Sequence, residues 1–203
     1  MIMYLNESAL NGLYEIAEAL EKFAMPLTGV PKAGKSLISG GLYHHFIKNK
    51  DNFFIERLSP DMEGQWTWET GKLELAREMK NKLKERGEFF SPRFVNIKNM
   101  HIPGLVKNFD KTVFDLGGIP SKENEKFIGT IQNSANKFQK EFTPVILTPT
   151  EKAGDAWREF FNERFKIDPL IFKPNWNFKK DIKQQAIKQA GNLLDALAKK
   201  FGK

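Results

Sequence analysis

The chain has 203 residues, 40% of them hydrophobic and 28% charged, with 18 Phe, no Cys and a formal net charge of +7. That length suits one ordinary domain spanning residues 1–203, and the aromatic content is enough for a packed core, which excludes a disordered chain. Lack of Cys excludes disulfide scaffolds, thiolate metal sites and cysteine nucleophiles, and three His (His44, His45, His101) are too few for a histidine-rich metal centre. No apolar run approaches the roughly 20 residues of a membrane span, and the start, Met1 to Glu7, has no basic n-region followed by an apolar stretch. A cytoplasmic protein without a membrane partner is expected.

In chain order, residues 7–22 place Leu10, Leu13, Ala17 and Leu20 at helical spacing. Phe23 to Thr28 reads as a strand, weakened by Pro26, which has no N–H for a ladder. Gly34 to Ile47 reads as a helix opened by a glycine-containing turn, with Gly40 and Gly41 lowering its intrinsic stability. Phe53 to Leu58 is the second strand, closed by Ser59-Pro60-Asp61. Residues 69–87 form a charged amphipathic helix, and Pro92 to Lys107 a further one that Pro103-Gly104 is positioned to break. Thr112 to Leu116 is a third strand, residues 122–140 a helix, Pro144 to Thr148 a fourth strand and Thr150 to Phe165 a helix. Pro169 to Phe172 is the fifth strand. A last helix from about Phe178 carries Phe178, Ile182, Ala186, Ala190, Leu193, Leu194, Leu197 and Phe201 on one stripe. Short apolar strands alternating with helices predict an α/β three-layer sandwich around a mainly parallel, five-stranded sheet.

The charge is unevenly placed. Residues 177–203 hold seven Lys against Asp181 and Asp195, so the remainder of the chain is nearly balanced. A basic groove for nucleic acid across the domain is therefore poorly supported, and this terminal helix reads as a solvated basic face.

The sharpest local signal is Gly29-Val30-Pro31-Lys32-Ala33-Gly34-Lys35-Ser36, a full match to G-x-x-x-x-G-K-[ST], with Leu37 next on the helix. Glycines let the loop turn its N–H groups toward phosphate oxygens, and the helix that follows presents its positive end to the same anion. This is the signature of a P-loop NTPase-like fold. Lys35 is expected on the terminal phosphates and the Ser36 hydroxyl on Mg²⁺. The competing reading is a lysine-rich surface turn, which the strand before and helix after it argue against.

Such a loop needs a carboxylate at a neighbouring strand end to complete the Mg²⁺ shell. Asp115, followed by Leu116-Gly117-Gly118, is the candidate, and no acidic residue follows it directly. In a parallel sheet the carboxyl ends of the strands share one rim, so Asp61 and Glu63 after the second strand face the same crevice. They could orient water or take a proton. Trp66 and Trp68 either stack on a base or pack in the core. All three His read as structural. After the fourth strand stands Thr148-Pro149-Thr150 rather than the Asn-Lys-x-Asp of guanine readers, which favours ATP.

The segments Leu27 to Ser36, Arg57-Leu58-Ser59-Pro60-Asp61-Met62-Glu63-Gly64-Gln65-Trp66, Arg86-Gly87 with Phe94-Val95, and Val113 to Ser121 resemble, in that order, one particular domain. It is the P-loop NTPase domain often fused to the CRISPR-associated ring nuclease of type III systems, and the likeness covers about residues 24–175. The resemblance implies cyclic-oligoadenylate defence signalling and ATP handling by Gly29, Gly34, Lys35, Ser36 and Asp115, with Asp61 and Glu63 matching the family's acidic pair. Too few residues precede the first strand to hold the nuclease, so that activity does not carry over. A separate ring-nuclease or other protein, RNA or a cyclic oligonucleotide, and a second copy of the chain are the partners this context suggests. The leading expectation is a slow Mg²⁺-dependent ATPase. A kinase acting on a small molecule or RNA end, with Asp61 as base and Arg57 or Arg93 as clamp, and a nucleotide-gated interaction module remain beside it.

Overall fold

A computed structural model describes residues 21–58, 72–85 and 92–201. Its elements are β1 (Phe23–Gly29), α1 (Lys35–Asn49), β2 (Phe53–Arg57), α2 (Leu73–Glu85), α3 (Pro92–Asn108) and β3 (Lys111–Asp115). These are followed by α4 (Lys122–Lys137), β4 (Glu141–Phe142), β5 (Val145–Leu147), α5 (Glu151–Phe165), β6 (Leu170–Phe172) and α6 (Ile182–Phe201). The expected helix over 7–22 falls almost wholly outside the described residues, as do 69–71, 86 and 87 at the ends of the expected charged helix.

All pairings are parallel, in the order β2-β3-β1-β5-β6, with β4 also paired to β1. Side-chain alternation along these strands builds the layers. Phe23, Met25 and Leu27 of β1, Val113 of β3, and Val145 and Leu147 of β5 point to one face, where Ile38, Leu42 and Phe46 of α1 and Ala190, Leu193 and Leu197 of α6 cover them. Ala24, Phe114 and Ile146 point the other way, onto Ile102 and Val106 of α3, Phe127, Ile128 and Ile131 of α4, and Trp157 and Phe161 of α5. The result is the expected α/β three-layer sandwich. No helix among the described residues is long and apolar enough to cross a membrane.

The sheet has six strands rather than five, because the two-residue β4, which was not expected, precedes the expected fourth strand, which forms as β5, and the gap between them explains Pro26. β1 pairs Phe23 and Ala24 with Glu141 and Phe142, then resumes with Leu27 to Gly29 on Val145 to Leu147. Backbone groups in a parallel strand alternate sides. Phe23 donates toward β3, to the Asp110 carbonyl at 3.0 Å, while the Ala24 carbonyl accepts from the Thr143 N–H on the other side at 3.1 Å. By that alternation the missing N–H of Pro26 falls at Thr143-Pro144, where the ladder is already open. Proline is thus accommodated inside a central strand, contrary to the weakening expected from its presence there.

Two further expectations are corrected. Pro103 and Gly104 do not break α3, which runs through them. A proline inside a helix costs about 3 kcal/mol, and complete burial of Ile102 and Val106 beside it returns about 1.5–3 kcal/mol for each side chain. The last helix starts at Ile182 rather than Phe178, which sits in the preceding loop and is 51% exposed. Its lysines at 183, 188, 199 and 200 are exposed, as expected of a solvated face.

Gly41 has a packing role that its low helix propensity conceals. A Cβ there would lie 2.2 Å from the Ala186 carbonyl oxygen, so α1 and α6 approach at backbone contact. Propensity alone predicts that Gly41→Ala stabilises by about 1 kcal/mol, whereas the clash predicts a net loss of about 1–3 kcal/mol. A lowered melting temperature, by about 2–4 °C per kcal/mol for a chain of this size, is the expected result. A raised one would contradict the packing argument.

Candidate active site

The loop between β1 and α1 is shaped by three residues with positive φ: Gly29 at 136°, Lys32 at 65° and Gly34 at 88°. Gly34 is also the N-cap of α1. The loop is pinned by Val30 N–H on the Leu147 carbonyl (3.2 Å), Ala33 N–H on the Val30 carbonyl (3.2 Å) and Ile38 N–H on the Gly34 carbonyl (2.9 Å). Pro31 and Lys32 are exposed at its crest, and Ala33 is buried.

α1 begins with no side-chain cap and no acidic residue in its first turn. By contrast, Ser121 caps α4 and Thr150 caps α5, each with glutamate in the first turn of its helix. First-turn N–H groups lack intrahelical acceptors and carry the positive end of the helix dipole. Left without a built-in anion, that end is suited to an external one. The Lys35 ammonium folds back over the loop, donating to the carbonyls of Gly29 and Val30 at 3.3 and 3.4 Å, which are long bonds. Leu37 packs its side chain inward with Ile182 and Ala186, leaving only its backbone on the loop side.

Asp115 ends β3, beside Leu27 on one side and Arg57 on the other. It is only 3% exposed. The Ser36 hydroxyl donates to its Oδ2 at 2.7 Å, and the Arg57 guanidinium, through Nη2, donates to Ser36 Oγ at 2.9 Å. Serine, aspartate and arginine from three elements thus converge on one point. The Leu116-Gly117-Gly118 turn after Asp115 lies against the loop: a Cβ on Gly118 would come within 3.0 Å of Pro31. Gly118 also accepts from the buried indole of Trp157 at 3.4 Å.

Trp176, in the loop between β6 and α6, is a residue the sequence reading missed. Its indole N–H donates to the Ala33 carbonyl at 3.0 Å, and its ring lies so close to Gly34 that a Cβ there would stand 2.5 Å from Nε1. Phe178 stacks beside it with ring centroids 6.4 Å apart. Nothing local announces this contact, since 143 residues separate donor and acceptor. The only available signal was an indole just beyond the last strand, at the loop-bearing rim of a parallel sheet.

Asp61 and Glu63, together with Trp66 and Trp68, lie outside the described residues. The turn after β5 spends its hydroxyls on its own backbone: Thr148 Oγ1 donates to the Thr150 carbonyl at 2.5 Å, and Thr150 caps α5. Glu151 follows, its carboxyl held below the usual range chiefly by its hydrogen bond from Lys173 at 2.7 Å. His45 bonds the Ile187 carbonyl at 2.9 Å, tying α1 to α6, while His44 and His101 are exposed. No group of three or more His, Cys, Asp or Glu among the described residues is arranged to hold a metal. That does not count against Mg²⁺, which characteristically takes one or two protein ligands plus phosphate and water. A buried carboxylate with a hydroxyl 2.7 Å away, at the foot of a phosphate-suited loop, fits that demand.

No protein-family model matches the chain, and no curated protein matches it. Among solved structures it is similar to the signal recognition particle receptor FtsY from Elizabethkingia anophelis, at 13% identity and a TM-score of 0.45, over 99% of this chain and 66% of that one. It is also similar to chloroplast FtsY from Physcomitrella patens, at 15% identity and a TM-score of 0.46, over 93% of this chain and 65% of that one. The chain therefore spans just under two thirds of those proteins' lengths. Likenesses this distant carry no functional argument; the P-loop NTPase-like arrangement is carried by the chain's own parallel sheet, its two helical layers and the loop between β1 and α1.

Proposed function

We propose that this chain is a Mg²⁺-dependent P-loop nucleotide-binding protein that slowly hydrolyses a nucleoside triphosphate. One observation carries the reading: the Gly29–Ser36 loop ends on an uncapped helix N-terminus beside the Ser36–Asp115 hydrogen bond of 2.7 Å. In this reading the amides of Lys32, Gly34, Lys35, Ser36 and Leu37 surround the phosphates, while those of Val30 and Ala33 stay on the carbonyls that pin the loop. Lys35 exchanges its long bonds to loop carbonyls for phosphate oxygens and neutralises charge as it develops there. Ser36 and Asp115 hold the metal, which when bound offsets negative charge on the phosphates. Asp61 or Glu63 orients the attacking water, a role supported by their position in sequence after β2.

ATP is the favoured nucleotide. The turn after β5 reads Thr148-Pro149-Thr150, and its threonines are committed to backbone bonds rather than to reading a base edge. The resemblance of the Pro60-to-Trp66 and Asp115-to-Gly118 segments to the type III-associated NTPase domain supports a place in cyclic-oligoadenylate signalling, with a separate ring nuclease as partner. Arg57, standing at the same rim as Ser36, is what favours phosphoryl transfer to an acceptor as the second reading.

A product assay with labelled ATP separates the possibilities. Free phosphate released without any acceptor is the expected outcome. Label transferred only when an acceptor is added would replace hydrolysis by kinase chemistry, and tight binding with no turnover would make the chain a nucleotide-gated module.

A further inference from the structure

The contact between Arg57 and Ser36 bears on how the metal enters. A serine hydroxyl has one proton and two lone pairs. Ser36 gives the proton to Asp115 and accepts on oxygen from Arg57. The Asp115 carboxylate is almost wholly buried, and a buried charge is costly unless compensated. With no metal, the positive charge closest to hand through this chain of hydrogen bonds is the guanidinium of Arg57.

A Mg²⁺ ion ligated by Ser36 would sit about 2.0–2.1 Å from its oxygen. A guanidinium 2.9 Å from the same oxygen would then face a divalent cation at close range, and like charges so placed repel. The oxygen has a second lone pair, but the repulsion makes the two cations compete for the hydroxyl. Movement of the Arg57 side chain would nevertheless leave the sheet in place. Its backbone is the last residue of β2, registered opposite Asp115, and the next N–H, of Leu58, bonds the Asp115 carbonyl at 2.9 Å. What moves is the long side chain, which has several rotatable bonds.

We propose that Arg57 is the resident counter-charge of the Ser36–Asp115 pair, and that Mg²⁺ arriving with nucleotide must displace its guanidinium. This rests on the nucleotide-site reading above and adds a regulatory feature to it: apparent metal affinity is set by competition with an arginine of the same chain. Arg57 is in this account a positioning residue, keeping serine and aspartate ordered for the metal while holding the metal's place.

The test is calorimetric titration of Mg²⁺ into protein saturated with a non-hydrolysable ATP analogue, for wild type, Arg57→Gln and Arg57→Lys. If Arg57 holds the site most of the time, removing it lowers the Mg²⁺ half-saturation by about threefold to tenfold, since apparent affinity scales with the competent fraction. Arg57→Lys, which keeps the charge, should stay near wild type. Melting curves of each variant establish that it is folded. A half-saturation in Arg57→Gln that is unchanged, or raised as it would be if Arg57 only supported the site's shape, overturns the inference while leaving the nucleotide site standing. Wild-type protein that does not bind the analogue with or without Mg²⁺ overturns the site reading and this inference with it.

Discussion

Lys35→Ala should lower nucleoside-triphosphate turnover by about two to three orders of magnitude, the loss typical of removing one preorganised charge-stabilising group. The fold should survive. In the structure the Lys35 ammonium makes bonds of 3.3 and 3.4 Å to the Gly29 and Val30 carbonyls, and bonds so long contribute at most about 1 kcal/mol. A steady-state assay alongside a thermal melt checks both halves. Turnover within a factor of a few of wild type would remove Lys35 from the chemistry. A collapsed melt would mean that the lysine is a structural strut.

Gly29→Ala should have the opposite profile, with stability lost first. Gly29 sits at φ 136°, a conformation that a residue with a Cβ rarely adopts, and the added atom would lie 2.0 Å from the Leu147 carbonyl oxygen. That carbonyl already accepts from Val30 and belongs to β5, so it cannot retreat without opening the sheet beside the loop. Backbone strain and overpacking together should cost about 3–5 kcal/mol. That is a large part of the roughly 5–15 kcal/mol by which domains are stable. Chemical denaturation should place the variant's midpoint well below wild type. Coincident curves would mean that the loop is not held as described.

Sequence made the shape of the Gly29–Ser36 loop legible because that shape is backbone geometry. Gly29 and Gly34 mark the places where φ must be positive, and the strand before and helix after could be read from short windows. Asp115 was legible for a related reason, as an acidic residue closing an apolar strand ahead of two glycines. Strand and helix identities followed from alternation and spacing alone. What failed depended on partners distant in sequence. Whether Pro26 breaks a strand is decided by the side on which its N–H would point and by Thr143-Pro144 opposite, 117 residues away. Gly41 reads as a helix weakener until α6 is laid across it at Ala186. Trp176 offers no local cue that its indole seals the loop at Ala33. Arg57 was read as a clamp for an acceptor, and its contact with Ser36, the proposed metal ligand, came to light only with the fold. In each case the window was too short for the partner that decided the matter.

An anion is expected at the start of α1, which has no side-chain cap. Isothermal calorimetry of the full chain with ATP and with GTP, each with and without Mg²⁺, tests it directly. The account predicts saturable binding of triphosphate that tightens when Mg²⁺ is present, with ATP preferred. Absence of a binding heat for either triphosphate under both conditions, from protein that melts cooperatively, would contradict it.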